Sequence, residues 1–160
     1  MKTALIYNPK IKNYRFGKGH PFTADRFENF INFAKEKLVN FEGVFEQIAP
    51  KPAKDEDLRL FHGKEYVDVI KRASQGIIIP DILRYTTVDN LDLSTGYLSK
   101  GMHTAGKIVV GSSLKAAELI AENKPRTRTS SVRGKFKKAV VFGGRASSCQ
   151  KRKGRRFLYI

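Results

Sequence analysis

The chain has 160 residues, enough for one domain with its own core but not for two. With 41% hydrophobic and 29% charged residues it is not disordered along its whole length, and no apolar run approaches the roughly 20 residues that span a bilayer. The formal net charge of +16 is concentrated at one end: Lys124–Ile160 holds 13 Lys or Arg and no Asp or Glu, which leaves residues 1–123 close to neutral and argues against a nucleic-acid surface spread through the fold.

Taken in chain order, the short apolar run at residues 3–8 ends at Asn8-Pro9 and predicts a buried strand. Pro9 and Lys10 interrupt that run too early for a signal peptide, so a soluble cytoplasmic protein is the expectation. A loop rich in glycine and aromatics, Tyr14 to Pro21, leads to Thr23, which is suited to cap a helix reaching to about Asn40. Phe27, Phe30, Ile31, Ala34 and Leu38 recur at helical spacing and give that helix one apolar face. Val44 to Ile48 alternates and stops before Pro50 and Pro52, the pattern of a second strand.

Asp55 is placed to cap a short helix carrying Leu58 and Phe61, and Lys64 to Ala73 continues as another, with Tyr66, Val67 and Ile70 on one side. Ile77 to Ile79 reads as strand or core, and the stretch after Pro80 reads as a long loop. From about Gly101 to Glu122 the pattern is helical again, with Met102, Ala105, Val109, Ser113, Ala116 and Ile120 aligned. The small residues Ala105, Gly106, Gly111, Ser112, Ala116 and Ala117 would let this helix lie close against a sheet. Lys124 to Gly134 reads as a basic linker, and Lys138 to Phe142, followed by Gly143-Gly144, as a buried strand ending in a turn. Strand, helix, strand, helices, strand is the order of an α/β domain with three layers and a mostly parallel sheet. Ligands of such sheets gather at the carboxyl ends of the strands.

Local catalytic chemistry is sparse. One cysteine, Cys149, excludes an intramolecular disulfide and a cysteine-rich metal site, and it has no histidine or acid beside it in sequence to activate it. His20, His62 and His103 lie about forty residues apart, without the short spacings of metal ligands. They read as structural histidines, and no metal site is expected from local sequence.

Several short motifs together carry a family likeness. The loop Gly17-Lys18-Gly19-His20-Pro21 is followed five residues after the proline by Arg26. Phe61-His62-Gly63-Lys64-Glu65-Tyr66-Val67 comes next in order. Gly101-Met102-His103, the small-residue stretch Gly111 to Ala117 and the strand ending Phe142-Gly143-Gly144 complete the set. In order and spacing, residues 3–144 resemble the histone deacetylase family, and within it the prokaryotic acetoin-utilisation type. The resemblance implies an arginase–deacetylase-like fold. It also implies zinc-dependent hydrolysis of acetyl-lysine or a small acetylated amine, with paired histidines handling protons.

By that resemblance Arg26 matches an arginine lining the inner channel, and Gly143 and Gly144 match the backbone turn at the pocket floor. Read from the residues alone, Arg26 is a helix-start arginine pairing with Asp25 or Glu28. The family's paired histidines fall at Ala146 and Ser147, neither of which accepts a proton near neutral pH. Its zinc-binding Asp-x-His strand, later Asp ligand and transition-state tyrosine fall beyond Ile160. Its substrate-holding acid falls near the uncharged Thr95, with Asp92 close but off register. The chain is therefore expected to be the N-terminal part of the domain (1–144), truncated, holding no zinc and catalytically inactive.

Residues 145–160 carry six basic residues, no acidic ones and no periodicity, and the likeness stops abruptly after Gly144. That pattern is expected of a one-base frameshift near Arg145. The rival expectation is a basic arm, Lys124–Arg156, gripping nucleic-acid phosphates by counterion release. Its few aromatic residues, Phe136, Phe142, Phe157 and Tyr159, do not make a stacking groove. A third expectation is a remnant that binds a partner or itself through an unpaired sheet edge.

Overall fold

A computed structural model describes residues 2–13, 23, 25–92, 95–122 and 135–142. Strand β1 (Thr3–Ile6) forms where the apolar run predicts it, and its middle position in the sheet explains why the run is unbroken: Ala4, Leu5 and Ile6 are all buried. It pairs in parallel with β2 (Phe45–Ile48) and with β3 (Ala139–Val141), giving the order β2-β1-β3. Thr3 lies opposite Phe45 and Ile6 opposite Ile48 on one side, and Ala4 lies opposite Ala139 on the other.

Successive side chains of β1 point to opposite faces and serve different clusters. Leu5, with Tyr7 just beyond the strand, packs with Phe27 and Ile31 of helix α1 (Arg26–Lys37) and with Phe41. Ala4 and Ile6 pack with Phe136 and with Leu119 of helix α5 (Met102–Ala121). Helical side chains therefore cover both faces of the parallel sheet, as the expected layering requires. Helix α5, 20 residues long, also sends Ile108 and Val109 into the first cluster.

Four local readings are corrected. The first helical residue is Arg26 and its N-cap position is Asp25, so Thr23 contributes only its carbonyl, which accepts from Arg26 N–H at 3.4 Å. Leu38 lies past the end of α1 and, like Phe30, is largely exposed. A single helical turn, α2 (Phe41–Val44), precedes β2, because Asn40 Oδ1 accepts from Gly43 N–H at 3.0 Å and holds the chain in a turn there. Asp55 is the first residue of α3 (Asp55–Arg59) and does not cap it: Asp57 Oδ2 accepts from Lys54 N–H at 2.7 Å, which leaves the Asp55 carboxylate free for other work.

Helix α4 (Lys64–Ala73) has the predicted bounds, with Val67 buried at its centre. Ile77 and Ile78 are 43% and 68% exposed and form no strand: an apolar run becomes a strand only where a neighbour accepts its backbone. Leu91 and Leu98 meet in one antiparallel bridge and, with Ala73 and Met102, make a third small core. Among the described residues no helix is long and apolar enough to cross a membrane.

Candidate functional site

The carboxyl ends of β1 and β2 are joined by one backbone and one side-chain hydrogen bond. Tyr7 N–H donates to Ile48 O at 3.0 Å, and Asn8 Nδ2 donates to Pro50 O at 3.2 Å while its Oδ1 accepts from Lys10 N–H at 3.0 Å. Phe142, one residue past β3, brings the third strand end into the same region. Its ring meets Tyr7 edge-on at 6.2 Å and 88°, and lies 6.0 Å from Phe27 and 5.4 Å from Phe30 at the start of α1. Rings at these separations attract beyond the area they bury.

Charged groups stand at the edge of this aromatic floor. The Arg26 guanidinium lies 5.0 Å from the centroid of the Phe27 ring, within cation–π reach. Burial raises the Tyr7 hydroxyl above its ordinary pKa, and the neighbouring Glu28 carboxylate adds to the rise. Tyr7 therefore stays protonated at any physiological pH.

A second concentration of polar chemistry lies where α3, α4 and α5 meet. Asp55 Oδ2 accepts from Lys71 Nζ at 2.9 Å, and Oδ1 accepts from Lys107 Nζ at 2.6 Å. These two hydrogen bonds, with the charge of both ammoniums, hold the Asp55 carboxyl well below the usual carboxylate range. His103 Nε2 sits 3.7 Å from the same Oδ1, with its side chain 9% exposed and no hydrogen-bond partner among the described residues. Burial pushes the His103 imidazole below its ordinary pKa, against the pull of Asp55 and with the push of Lys107 and Lys71. Residue spacing gave one cue that sequence reading missed: His103 and Lys107 are four apart and so share a helix face.

The sequence-predicted residues fall into four groups. Arg26 stands at the strand ends, one ring away from Phe142 through Phe27. Gly143, Gly144, Ala146, Ser147, His20 and Cys149 lie outside the described residues. His62 and His103 take unrelated places: His62 stacks on Tyr66 at 4.8 Å, and burial lowers its pKa too. Asp92 and Thr95 belong to the turn between Leu91 and Leu98, where Asp92 O accepts from Thr95 N–H at 3.1 Å and Thr95 is exposed.

The described residues contain no group of three His, Cys, Asp or Glu side chains able to hold a metal ion. Asp55, the carboxylate nearest a buried imidazole, has both oxygens engaged by ammonium groups, which repel a cation.

Comparison with known proteins agrees with this architecture. The histone deacetylase domain model matches residues 20–139, three quarters of the chain, and the chain belongs to that family. It is 37% identical over 126 residues to the acetoin utilization protein AcuC of Staphylococcus aureus (strain MRSA252), covering 77% of this chain and 30% of that protein. To AcuC of Staphylococcus xylosus it is 29% identical over 121 residues, and to AcuC of Bacillus subtilis 26% over 118 residues. In both cases 74% of this chain and 29% of the relative are covered. The chain thus spans about 30% of the length of the curated relatives it matches.

Proposed function

We propose that this chain is the N-terminal, channel-forming part of a zinc-dependent deacetylase whose substrates are acetyl-lysine or a small acetylated amine, and that by itself it does not catalyse. One observation carries the first half. Arg26, the residue that matches a channel arginine by resemblance, stands over Phe27 at the carboxyl ends of the strands, and Phe27 touches Phe142, directly before Gly143-Gly144. That is where a parallel sheet presents ligands.

The second half rests on side-chain chemistry. Amide hydrolysis of this kind needs a proton acceptor beside the scissile carbonyl. Ala146 has no titratable group, and the hydroxyl of Ser147 accepts no proton near neutral pH. The purified 160-residue chain is expected to hold zinc far below one equivalent and to leave an acetylated lysine peptide unchanged. Stoichiometric zinc together with turnover of that peptide overturns the reading. The abrupt loss of likeness after Gly144 supports a frame slip near Arg145. Translation of the downstream DNA in the other two frames then yields His-His and Asp-x-His, and their absence refutes the slip.

A second reading rests on the 13 basic residues after Asn123. If they form a nucleic-acid arm, filter binding falls steeply with salt and is lost on removing residues 145–160. Binding that is absent or insensitive to salt removes it.

A further inference from the structure

His103 is the one buried imidazole in the described structure whose Nε2 has no partner, and it faces a carboxylate already in use. Lys107 occupies Oδ1 of Asp55 at 2.6 Å while His103 stands off the same oxygen at 3.7 Å. The groups facing the imidazole are Asp55 from α3, Lys71 from α4 and Lys107 from α5 itself, and Lys71 in turn lies near the Arg59–Asp68 pair, whose N···O distance is 3.0 Å. With His103 neutral, one carboxylate is shared between two ammoniums.

We propose that His103 is an acid-sensitive latch: a proton taken up on Nε2 makes it compete with Lys107 for Asp55 Oδ1 and loosens the junction of α3 with α5. The consequence reaches the strand ends. Lys107 O accepts from Ala53 N–H at 2.9 Å, and Gly111 packs so closely on the same segment that an added Cβ would lie 2.1 Å from Lys51 O. That segment begins at Pro50, whose carbonyl accepts from Asn8 beyond β1. The latch therefore lies beside the connection between β2 and α3, whose first residue is bonded to Asn8 just beyond β1.

The direction with pH is fixed by burial. Because the folded protein disfavours the charged imidazole, its contribution to stability is complete above the ordinary imidazole range, and it fades as pH falls through that range. Asp55 adds a separate loss only at much lower pH, since its folded carboxyl is held below the ordinary carboxylate value.

The test is an NMR titration of the imidazole resonances of the full chain, paired with unfolding at pH 7.5 and 5.5 in a His62→Gln background that removes the other depressed histidine. His103 is expected to titrate below free imidazole, and lower still in Asp55→Asn, where two ammoniums remain without their carboxylate. The unfolding equilibrium constant is expected to rise with acid by at most about tenfold per pH unit, the limit for one proton. His103→Gln is expected to abolish that rise. A wild-type His103 that titrates at or above free imidazole, or an acid dependence that survives His103→Gln, overturns the proposal. If the variant fails to fold, the wild-type titration decides alone.

Discussion

Around Phe142, rings from the end of β1 and from α1 meet that of Phe142 just past β3. Around Asp55, side chains from α4 and α5 converge on one carboxylate at the start of α3. The first region gains from every buried ring face and tolerates small shifts, since dispersion falls off gradually. The second depends on donor positions within a few tenths of an ångström, because hydrogen bonds weaken steeply away from their preferred geometry, and the half-exposed Lys71 leaves its pair partly screened by solvent. Helix α5 serves both, with Ile108 and Val109 in the aromatic face's core and Lys107 beside them on the ionic junction. Its apolar and charged sides are therefore separable by substitution.

The largest effect is expected on the apolar side. Ile108 is fully buried between Leu5, Phe41 and their neighbours. Ile108→Ala is expected to cost about 2–5 kcal/mol by deleting methyl groups that the surroundings cannot replace. Chemical unfolding monitored by tyrosine fluorescence measures it. A loss below about 1 kcal/mol would mean that the core around β1 is loosely packed and that α5 is held mainly through its ionic side.

Gly111→Val probes the boundary between the two regions. Its Cβ would overlap Lys51 O and lie 2.9 Å from Ala53 N, both backbone atoms that move only if the whole connection moves. Overpacking of this kind is expected to cost about 1–3 kcal/mol. If the connection shifts to make room, Asn8 loses Pro50, so the amide protons near Asn8 should exchange faster in this variant than in Ile108→Ala. Equal exchange in the two variants would show that the segment after β2 does not couple α5 to the strand ends.

The two regions also differ in how far sequence reveals them. β1 and β3 follow from apolar runs closed by proline or glycine, β2 from alternation that stops before Pro50, and α4 and α5 from helical periodicity, because each pattern is local. The likeness to the histone deacetylase family came from motif order, and the family match over residues 20–139 agrees with it. Asp55 was misread because the sequence Asp55-Glu56-Asp57 offers two carboxylates for capping, and only geometry shows that Asp57 takes the backbone and Asp55 the lysines. Residues 55, 71, 103 and 107 have no periodicity in common. Their meeting depends on how three helices pack, which is a tertiary fact. The triplet read as strand or core divides: Ile79 packs against the third core, while Ile77 and Ile78 lie exposed and form no strand, because hydrophobicity alone does not supply a hydrogen-bonding neighbour.

The smallest effect concerns the basic end of the chain. Lys135, the first described residue after 122, reaches across to Glu46 of β2 at 2.6 Å, with its side chain 67% exposed. An exposed pair of this kind is worth roughly 0–1 kcal/mol, and solvent and salt screen it further. Lys135→Ala is therefore expected to change stability by less than about 0.5 kcal/mol, and the difference should vanish in about 1 M salt. A larger, salt-resistant loss would place Lys135 among the residues that fix β3 beside β1, as Asp55 fixes α3 beside α5. A loss within the expected range leaves β3 held by the apolar contacts of Phe136 and Phe142 on either side of it, with the Lys135–Glu46 pair adding little.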